Sequence, residues 1–237
     1  MTTTSINKVL VLGGSRGIGA AIVRQLAAAG KRVTFTYAAS AERAQALAAE
    51  VGAEAIALDS SDGAALTAQI ERLGALDALV VNAGVLAAGD PLTLDPADID
   101  RLFRINIHAP YHAAVAAARG MPEGGRIVFI GSTNADRTPM TGLAAYGASK
   151  AALQGMAKGL ARDFGSRSIT VNVVQPGPTD TDMNPADGEL KDLMHSFMAI
   201  KRHVKDSEVA GLVAWLLSPD SAMVTGAALT VDGGFAA

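Results

Sequence analysis

The sequence predicts one α/β domain built on a doubly wound, seven-stranded parallel sheet with helices on both faces. Three observations predict it. Short apolar runs alternate with longer helix-like segments from end to end, the pattern of strand–helix–strand crossovers. Several of these runs are apolar throughout instead of alternating, as in strands covered on both faces. A glycine-rich turn follows the first run directly. The 237 residues, 49% of them apolar, suffice for one large core and show no linker, repeat or low-complexity tract, so one domain is expected over 1–237.

The first predicted strand is Lys8–Leu12, followed by Gly13-Gly14-Ser15-Arg16-Gly17-Ile18-Gly19 and a helix over 18–29. In that helix Ile18, Ile22 and Leu26 recur every four residues and make one apolar face. A second strand, Arg32–Tyr37, precedes a helix over Ala41–Val51. A third strand over 54–58 and a helix over 64–73 follow. The remaining strands are Ala78–Val81, Arg126–Ile130, 170–174 and 227–231, with a helical segment at 144–153. The least regular stretch, 176–205, has prolines at 176, 178 and 185, then a helix-like segment bearing Met194 and Met198.

Composition narrows the function. A formal net charge of -3 gives no general attraction for nucleic acid or an anionic membrane. The absence of cysteine excludes disulfides, thiolate catalysis and cysteine-ligated metals. Residues 1–8 lack a charged segment leading into an apolar stretch, and the run after them is far too short to span a bilayer. A cytoplasmic protein without membrane or nucleic-acid partners is expected.

The glycine turn suits a phosphate. Glycine lets backbone approach an anion closely, and a helix N-terminus offers free N–H groups and a positive dipole end. The glycines at 13, 17 and 19 make a wider loop than the usual Gly-x-Gly-x-x-Gly. Charge selects the dinucleotide. An acid at the end of the second strand would bind the ribose hydroxyl of NAD and repel the 2′-phosphate of NADP. Here that strand runs into Ala38-Ala39-Ser40 with no acid, and Glu42 comes later, inside the next helix. Arg16 lies within the turn, where a guanidinium can reach a 2′-phosphate, so NADP(H) is the expected cofactor.

Tyr146 and Lys150 stand at i and i+4, on one face of a helix. Bringing a phenol from about 10 to near 7 takes roughly 4 kcal/mol, about what a cation ~4 Å away supplies at an effective dielectric of about 20. Lys150 is therefore expected to tune Tyr146 as a general acid and base. Ser132 follows the strand Arg126–Ile130 at the sheet edge where ligands bind, and its hydroxyl can steady a developing oxyanion. Asn82-Ala83-Gly84 follows another strand, and Asn106 lies between two isoleucines, where a buried amide needs partners.

With GGSRGIG at 13–19, NAG at 82–84, Asn106, Ser132, YGASK at 146–150, PG at 176–177 and VTGAALTVDGG at 224–234, the chain resembles the short-chain dehydrogenase/reductase family over essentially its whole length. The resemblance implies a Rossmann domain with strand order 3-2-1-4-5-6-7 and a tetrad of Asn106, Ser132, Tyr146 and Lys150. In it Asn106 helps hold a proton-relay water, Ser132 polarises the carbonyl, Tyr146 transfers the proton, and Lys150 binds the nicotinamide ribose. It also implies cofactor contacts at Gly13, Ser15, Arg16, Gly17, Ile18, Gly19, Ser40, Asp59, Ser60, Asn82, Ala83, Gly84, Pro176, Gly177, Thr179 and Thr181, and a homotetramer in which the helix around 153–160 pairs across a two-fold axis. Two departures stand out. Leu12 replaces the usual threonine before the glycine turn, so one structural hydrogen bond is expected to be absent. Ser132 lies one residue further from Tyr146 than usual, so either the loop bulges or Thr133 takes the hydroxyl role; Ser132 is the favoured reading.

Within the family, LGGSRGIGAAIVR, RLFRINIHAPYHA, LARDFG, NVVQPGPTDTD and MAIKRH resemble the members that bind cyclic-di-GMP and mediate biofilm dispersal, and more loosely the 3-oxoacyl-acyl-carrier-protein reductases. Two readings result. The first is an NADP-dependent reductase that turns a carbonyl into an alcohol. The second is a regulator that binds cyclic-di-GMP, since a site for one anionic purine dinucleotide can accept another. The substrate is expected under a lid at about 183–205. There Met183, Met194, Phe197 and Met198 either form an apolar lid or simply pack it on the core. Asn134, Asp136 and Arg137 are candidate polar contacts. His195 and His203 form no metal-like cluster and read as ordinary lid or surface residues.

Overall fold

Val9 and Val11 on the first strand face one apolar cluster, and Leu10 and Leu12 face another, so the alternation of side chains splits the core into two layers. The computed structural model describes residues 6–237; residues 1–5, part of the segment read for an export signal, lie outside the described residues. The strands β1 (Lys8–Leu12), β2 (Arg32–Tyr37), β3 (Glu54–Ala57), β4 (Ala78–Val81), β5 (Arg126–Ile130), β6 (Thr170–Pro176) and β7 (Ala228–Val231) form one sheet. Their order is β3-β2-β1-β4-β5-β6-β7 and every neighbouring pair is parallel. This is the expected Rossmann fold. The central strands β4, β5 and β6 are buried at every residue, whereas the edge strands β3 and β7 are partly exposed.

Helices α1 (Gly17–Ala28) and α2 (Ala41–Val51) pack on the face that carries Val9, Val11 and Phe35. Helices α3 (Gly63–Leu73), α5 (Ala109–Gly120) and α6 (Ala144–Phe164) cover the opposite face with Leu66, Ile70, Ala113, Leu153 and Leu160. Helix α4 (Pro96–Phe103) runs through a π-helical turn, Arg104–His108, straight into α5. The short helix α7 (Lys191–Ser196) lies in the irregular stretch, and α8 (Asp206–Leu216) packs against α1 with Val209, Val213 and Leu216.

The boundaries differ from the sequence reading where distant pairing decides them. β6 runs two residues further than predicted, to Pro176, because Gln175 and Pro176 pair with Thr230 and Val231 of β7. Helix α3 starts at Gly63, where the Asp62 carboxylate accepts the Ala65 N–H at 2.9 Å. The chain leaves β1 toward β2 on one side and enters β4 on the other, so a crevice opens at their C-terminal ends. Among the described residues no helix is long and apolar enough to cross a membrane, and no cluster of side chains could hold a metal ion.

Candidate active site

A cleft of about 690 Å³ occupies that crevice. At one end is the turn from β1 into α1. Gly13 has φ +78°, and a Cβ there would sit 2.8 Å from the Cα of Ala83. Its carbonyl accepts from Asn82 Nδ2 at 2.7 Å. A Cβ on Gly19 would fall 2.1 Å from the Gly13 carbonyl oxygen, so Gly19 closes the turn from behind and does not line the cleft. No side chain caps α1, which leaves its first amides aimed outward. Leu12 brings no hydroxyl to the turn, but another residue does. The Thr36 hydroxyl, reaching over from β2, accepts the Gly13 N–H at 3.1 Å.

The cleft wall brings together Ser15, Arg16, Gly17, Ile18, Ser40, Asp59, Ser60, Asn82, Ala83, Gly84, Pro176, Gly177, Thr179 and Thr181. The Asp59 carboxylate accepts the Ser61 N–H at 2.8 Å; that bond holds it below the usual carboxylate range, with help from Arg101 nearby. Gly177 packs so tightly that a Cβ would lie 2.7 Å from the Asp232 Cβ. Asp232 in turn accepts the N–H groups of Gly234 and Ala236, both at 2.9 Å, and folds the last residues under the cleft. Arg101, Thr36, Tyr37 and Leu58 also line the cleft, unflagged by any motif.

At the other end β5 delivers Ser132, and α6 delivers Tyr146 and Lys150. The Tyr146 phenol shares a hydrogen bond with the Ser132 hydroxyl. Thr133 is buried and its hydroxyl donates to the Pro176 carbonyl at 3.3 Å, so the extra residue in the loop leaves Ser132 against the tyrosine. Lys150 is fully enclosed and donates to the Ile130 carbonyl at 3.0 Å, with its Nζ 5.8 Å from the Tyr146 ring centroid. The expected lowering of the phenol is not what these groups produce. Burial pushes Tyr146 above its ordinary value, against the opposing Ser132 bond, and burial brings Lys150 down to about 8.

Asn106 lies in the π-helical turn and does not line the cleft. Its Oδ1 accepts the Val85 N–H at 2.9 Å; its Nδ2 donates to the Val85 carbonyl at 2.9 Å and to Ser149 Oγ at 3.1 Å. Ser149 Oγ donates to the Tyr146 carbonyl at 2.7 Å. Asn106 therefore braces the β4 exit against α6 through Ser149, whose place in YGASK was its only sequence signal.

A family model described as enoyl-(acyl carrier protein) reductase matches residues 13–236. The chain belongs to the short-chain dehydrogenase/reductase family. It is similar to the cyclic-di-GMP-binding biofilm dispersal mediator protein of Escherichia coli (strain K12), 62% identical over 229 residues that cover 97% of each chain. It is also similar to the 3-oxoacyl-[acyl-carrier-protein] reductase MabA of Mycobacterium tuberculosis (strain ATCC 25618 / H37Rv), 37% identical over 233 residues, 95% of this chain and 91% of that one. The crystal structure of BdcA in complex with NADPH has a TM-score of 0.96 at 62% identity, covering 98% of this chain and 95% of that one.

In this short-chain dehydrogenase/reductase the segment after β6 divides by function of packing. Met198 is buried in the core, and Phe197 meets the Phe235 ring edge to face at 5.9 Å. Met183 and Met194 instead line the cleft. His203 is not a surface residue. It is 5% exposed, and its Nδ1 lies 2.8 Å from His195 Nε2. Burial first, then the neighbouring His195, holds its pKa below the ordinary histidine value, while Asp180 pulls it upward. No periodicity marks His203, because its burial follows from the bridge between Thr179 and Val204.

Proposed function

We propose that the protein is a cytoplasmic, NADP-dependent carbonyl reductase in which Tyr146 gives the proton to the carbonyl oxygen. One observation carries this reading. The Tyr146 phenol, the Ser132 hydroxyl and the Lys150 ammonium converge at one end of a cleft whose other end is an uncapped helix N-terminus behind a glycine turn.

The residues present fit the dinucleotide. The backbone from Ser15 to Ile18 would take the pyrophosphate, where a side chain at Gly13 would collide with Ala83. Arg16 is exposed and has no acid facing it from Tyr37 to Ser40, so Arg16 and Ser40 would take the 2′-phosphate. Asp59, Ser60 and Asn82 to Gly84 would face the adenosine. Lys150 would hold the nicotinamide ribose, with Pro176 and Gly177 beside it and Thr179 and Thr181 near the nicotinamide amide and the pyrophosphate. The NADPH complex of BdcA supports the assignment. Bound NADPH would supply the hydride.

The chain's own groups then handle the oxygen. Ser132 donates a hydrogen bond to the substrate carbonyl and steadies the charge that develops there. Tyr146 passes its phenolic proton to the same oxygen. A phenol, with an ordinary pKa of about 10, is protonated at neutral pH, as a proton donor must be. The Lys150 ammonium favours the phenolate left behind. Asn106, whose amide is occupied by Val85 and Ser149, would hold the relay water through its backbone carbonyl in the π-helical turn. Residues 183–205 would close over the substrate, and four copies would assemble as in relatives.

NADPH oxidation measured against a panel of carbonyl compounds tests the reading, and turnover surviving in Tyr146→Phe would refute it. A second reading, cyclic-di-GMP binding, is favoured by the name of the 62% identical relative. If cyclic-di-GMP uses the same cleft, NADPH will compete with it, and Arg16→Ala will weaken both. Tight cyclic-di-GMP binding with no turnover of any carbonyl would favour the regulator.

A further inference from the structure

Asn134, Asp136 and Arg137, the amide and charged side chains of the loop after Ser132, lie beside the proton donor. Two are occupied. The Asp136 carboxylate accepts from Gln154 Nε2 at 2.8 Å and from Gln175 Nε2, and Gln154 also donates to Gln175 Oε1 at 2.7 Å. The Arg137 guanidinium donates to the Phe235 carbonyl and lies 5.8 and 5.9 Å from the ring centroids of Phe197 and Phe235.

Asn134 differs. Its backbone N–H donates to Ser132 Oγ at 3.2 Å and its backbone carbonyl accepts from Thr138 Oγ1 at 2.9 Å. Its side-chain amide makes no hydrogen bond to any described residue, and Asn134 lines the cleft. The loop sits directly on α6. A Cβ on Gly147, the residue after Tyr146, would lie 3.0 Å from the Asn134 carbonyl oxygen. Glycine at 147 thus lets Asn134 approach the proton donor.

Apolar side chains dominate the rest of this end, with Leu86, Met140, Leu143, Met183, Met194 and Phe235 in the wall beside the polar Thr141 and Asn184. Among the described residues the cations near it are already engaged, Lys150 by the Ile130 carbonyl. Arg137 is held by Phe235, Arg101 acts on Asp59 toward the adenosine end, and His195 is bonded to His203. A substrate carboxylate or phosphate would lose its water here without gaining a partner. A neutral group that hydrogen-bonds an amide would find one, because an asparagine both donates and accepts.

We propose that Asn134 is a specificity-determining residue, and that the substrate is an uncharged, largely apolar carbonyl compound with one further hydrogen-bonding group next to the reacting carbonyl. This rests on the reductase reading. The test uses three matched probes: acetophenone, 2-hydroxyacetophenone and phenylglyoxylate. Turnover is measured with NADPH. Binding is measured separately, by ligand-observed NMR on the wild-type and Asn134→Ala proteins loaded with NADP⁺, where no ketone is reduced.

The hydroxyketone should bind about tenfold better than acetophenone, the size of one neutral hydrogen bond, and phenylglyoxylate should bind worst. Asn134→Ala should remove the tenfold advantage, leave acetophenone unchanged and leave the urea midpoint unchanged. That binding order without turnover would sink the reductase reading and leave the role of Asn134 supported. Equal loss of acetophenone and hydroxyketone in Asn134→Ala would overturn the role of Asn134. Phenylglyoxylate binding as well as the neutral pair, or no binding by either neutral ketone, would overturn the substrate class.

Discussion

Lys150 donates to the Ile130 carbonyl at 3.0 Å, and Ile130 is the last residue of the strand that delivers Ser132. The lysine therefore ties α6 to β5 as well as facing the tyrosine ring. Lys150→Ala should cost about 1–3 kcal/mol of stability by leaving a buried carbonyl unpaired, and should also weaken NADPH binding and turnover. Urea melts and NADPH titrations separate the two losses. A variant with wild-type stability would show that the tie to Ile130 contributes nothing.

Tyr146→Phe should abolish turnover and leave NADPH affinity nearly unchanged. No other described group is placed to give the proton, and the phenol contributes little to holding the dinucleotide. Single-turnover kinetics with a fluorescence titration of NADPH check both halves.

NADPH should bind at least about tenfold tighter than NADH, about 1.4 kcal/mol. Arg16→Ala should collapse that ratio toward one, since Arg16 is the cation in the glycine turn and no acid follows Tyr37 before Glu42. Calorimetry with both dinucleotides decides it; equal affinities in the wild type would refute the assignment.

Gly13→Ala should destabilise by about 2 kcal/mol or more, because the residue is held at φ +78° and the new Cβ would meet Ala83 backbone. Gly30→Ala, also at positive φ but with nothing within 4 Å, should cost less. Comparing their urea midpoints isolates the steric part.

Stability should fall on acidification through the histidine range. His203 is held below its ordinary value in the folded chain, so below about pH 6.5 the unfolded chain binds a proton that the folded chain does not. The stabilisation is complete above that pH and declines as pH drops. Thermal melts from pH 8 to 5.5 should show the slope, and His203→Leu should flatten it.

The strand and helix succession, the phosphate turn and the pairing of Tyr146 with Lys150 were legible because each rests on a local pattern: an apolar run, a glycine turn, an i and i+4 pair. The sheet order and the tetrad with Ser132 followed only from the family resemblance. What sequence could not show depends on partners far along the chain. Thr36 serves a turn 23 residues away. Asn106 looks catalytic by motif, yet its amide is bound to the backbone of Val85, and the π-helical turn around it carries no breaker residue. Burial of His203 follows from strand-like pairing with the segment after β6. The upward direction of the tyrosine shift has no local signal, because it comes from burial by the whole cleft, opposed by the Ser132 hydroxyl.

Thr36 also limits how the protein can be re-engineered. Its hydroxyl accepts from Gly13 and its carbonyl accepts from Gly14 at 2.9 Å, so β2 is a scaffold for the phosphate loop as well as the approach to the loop that reads the ribose. A graft that installs an acid to convert the protein to NADH must begin at Tyr37 or later. One that begins a residue earlier would exchange coenzyme selectivity for a misshapen anion cradle, and would lose both coenzymes together.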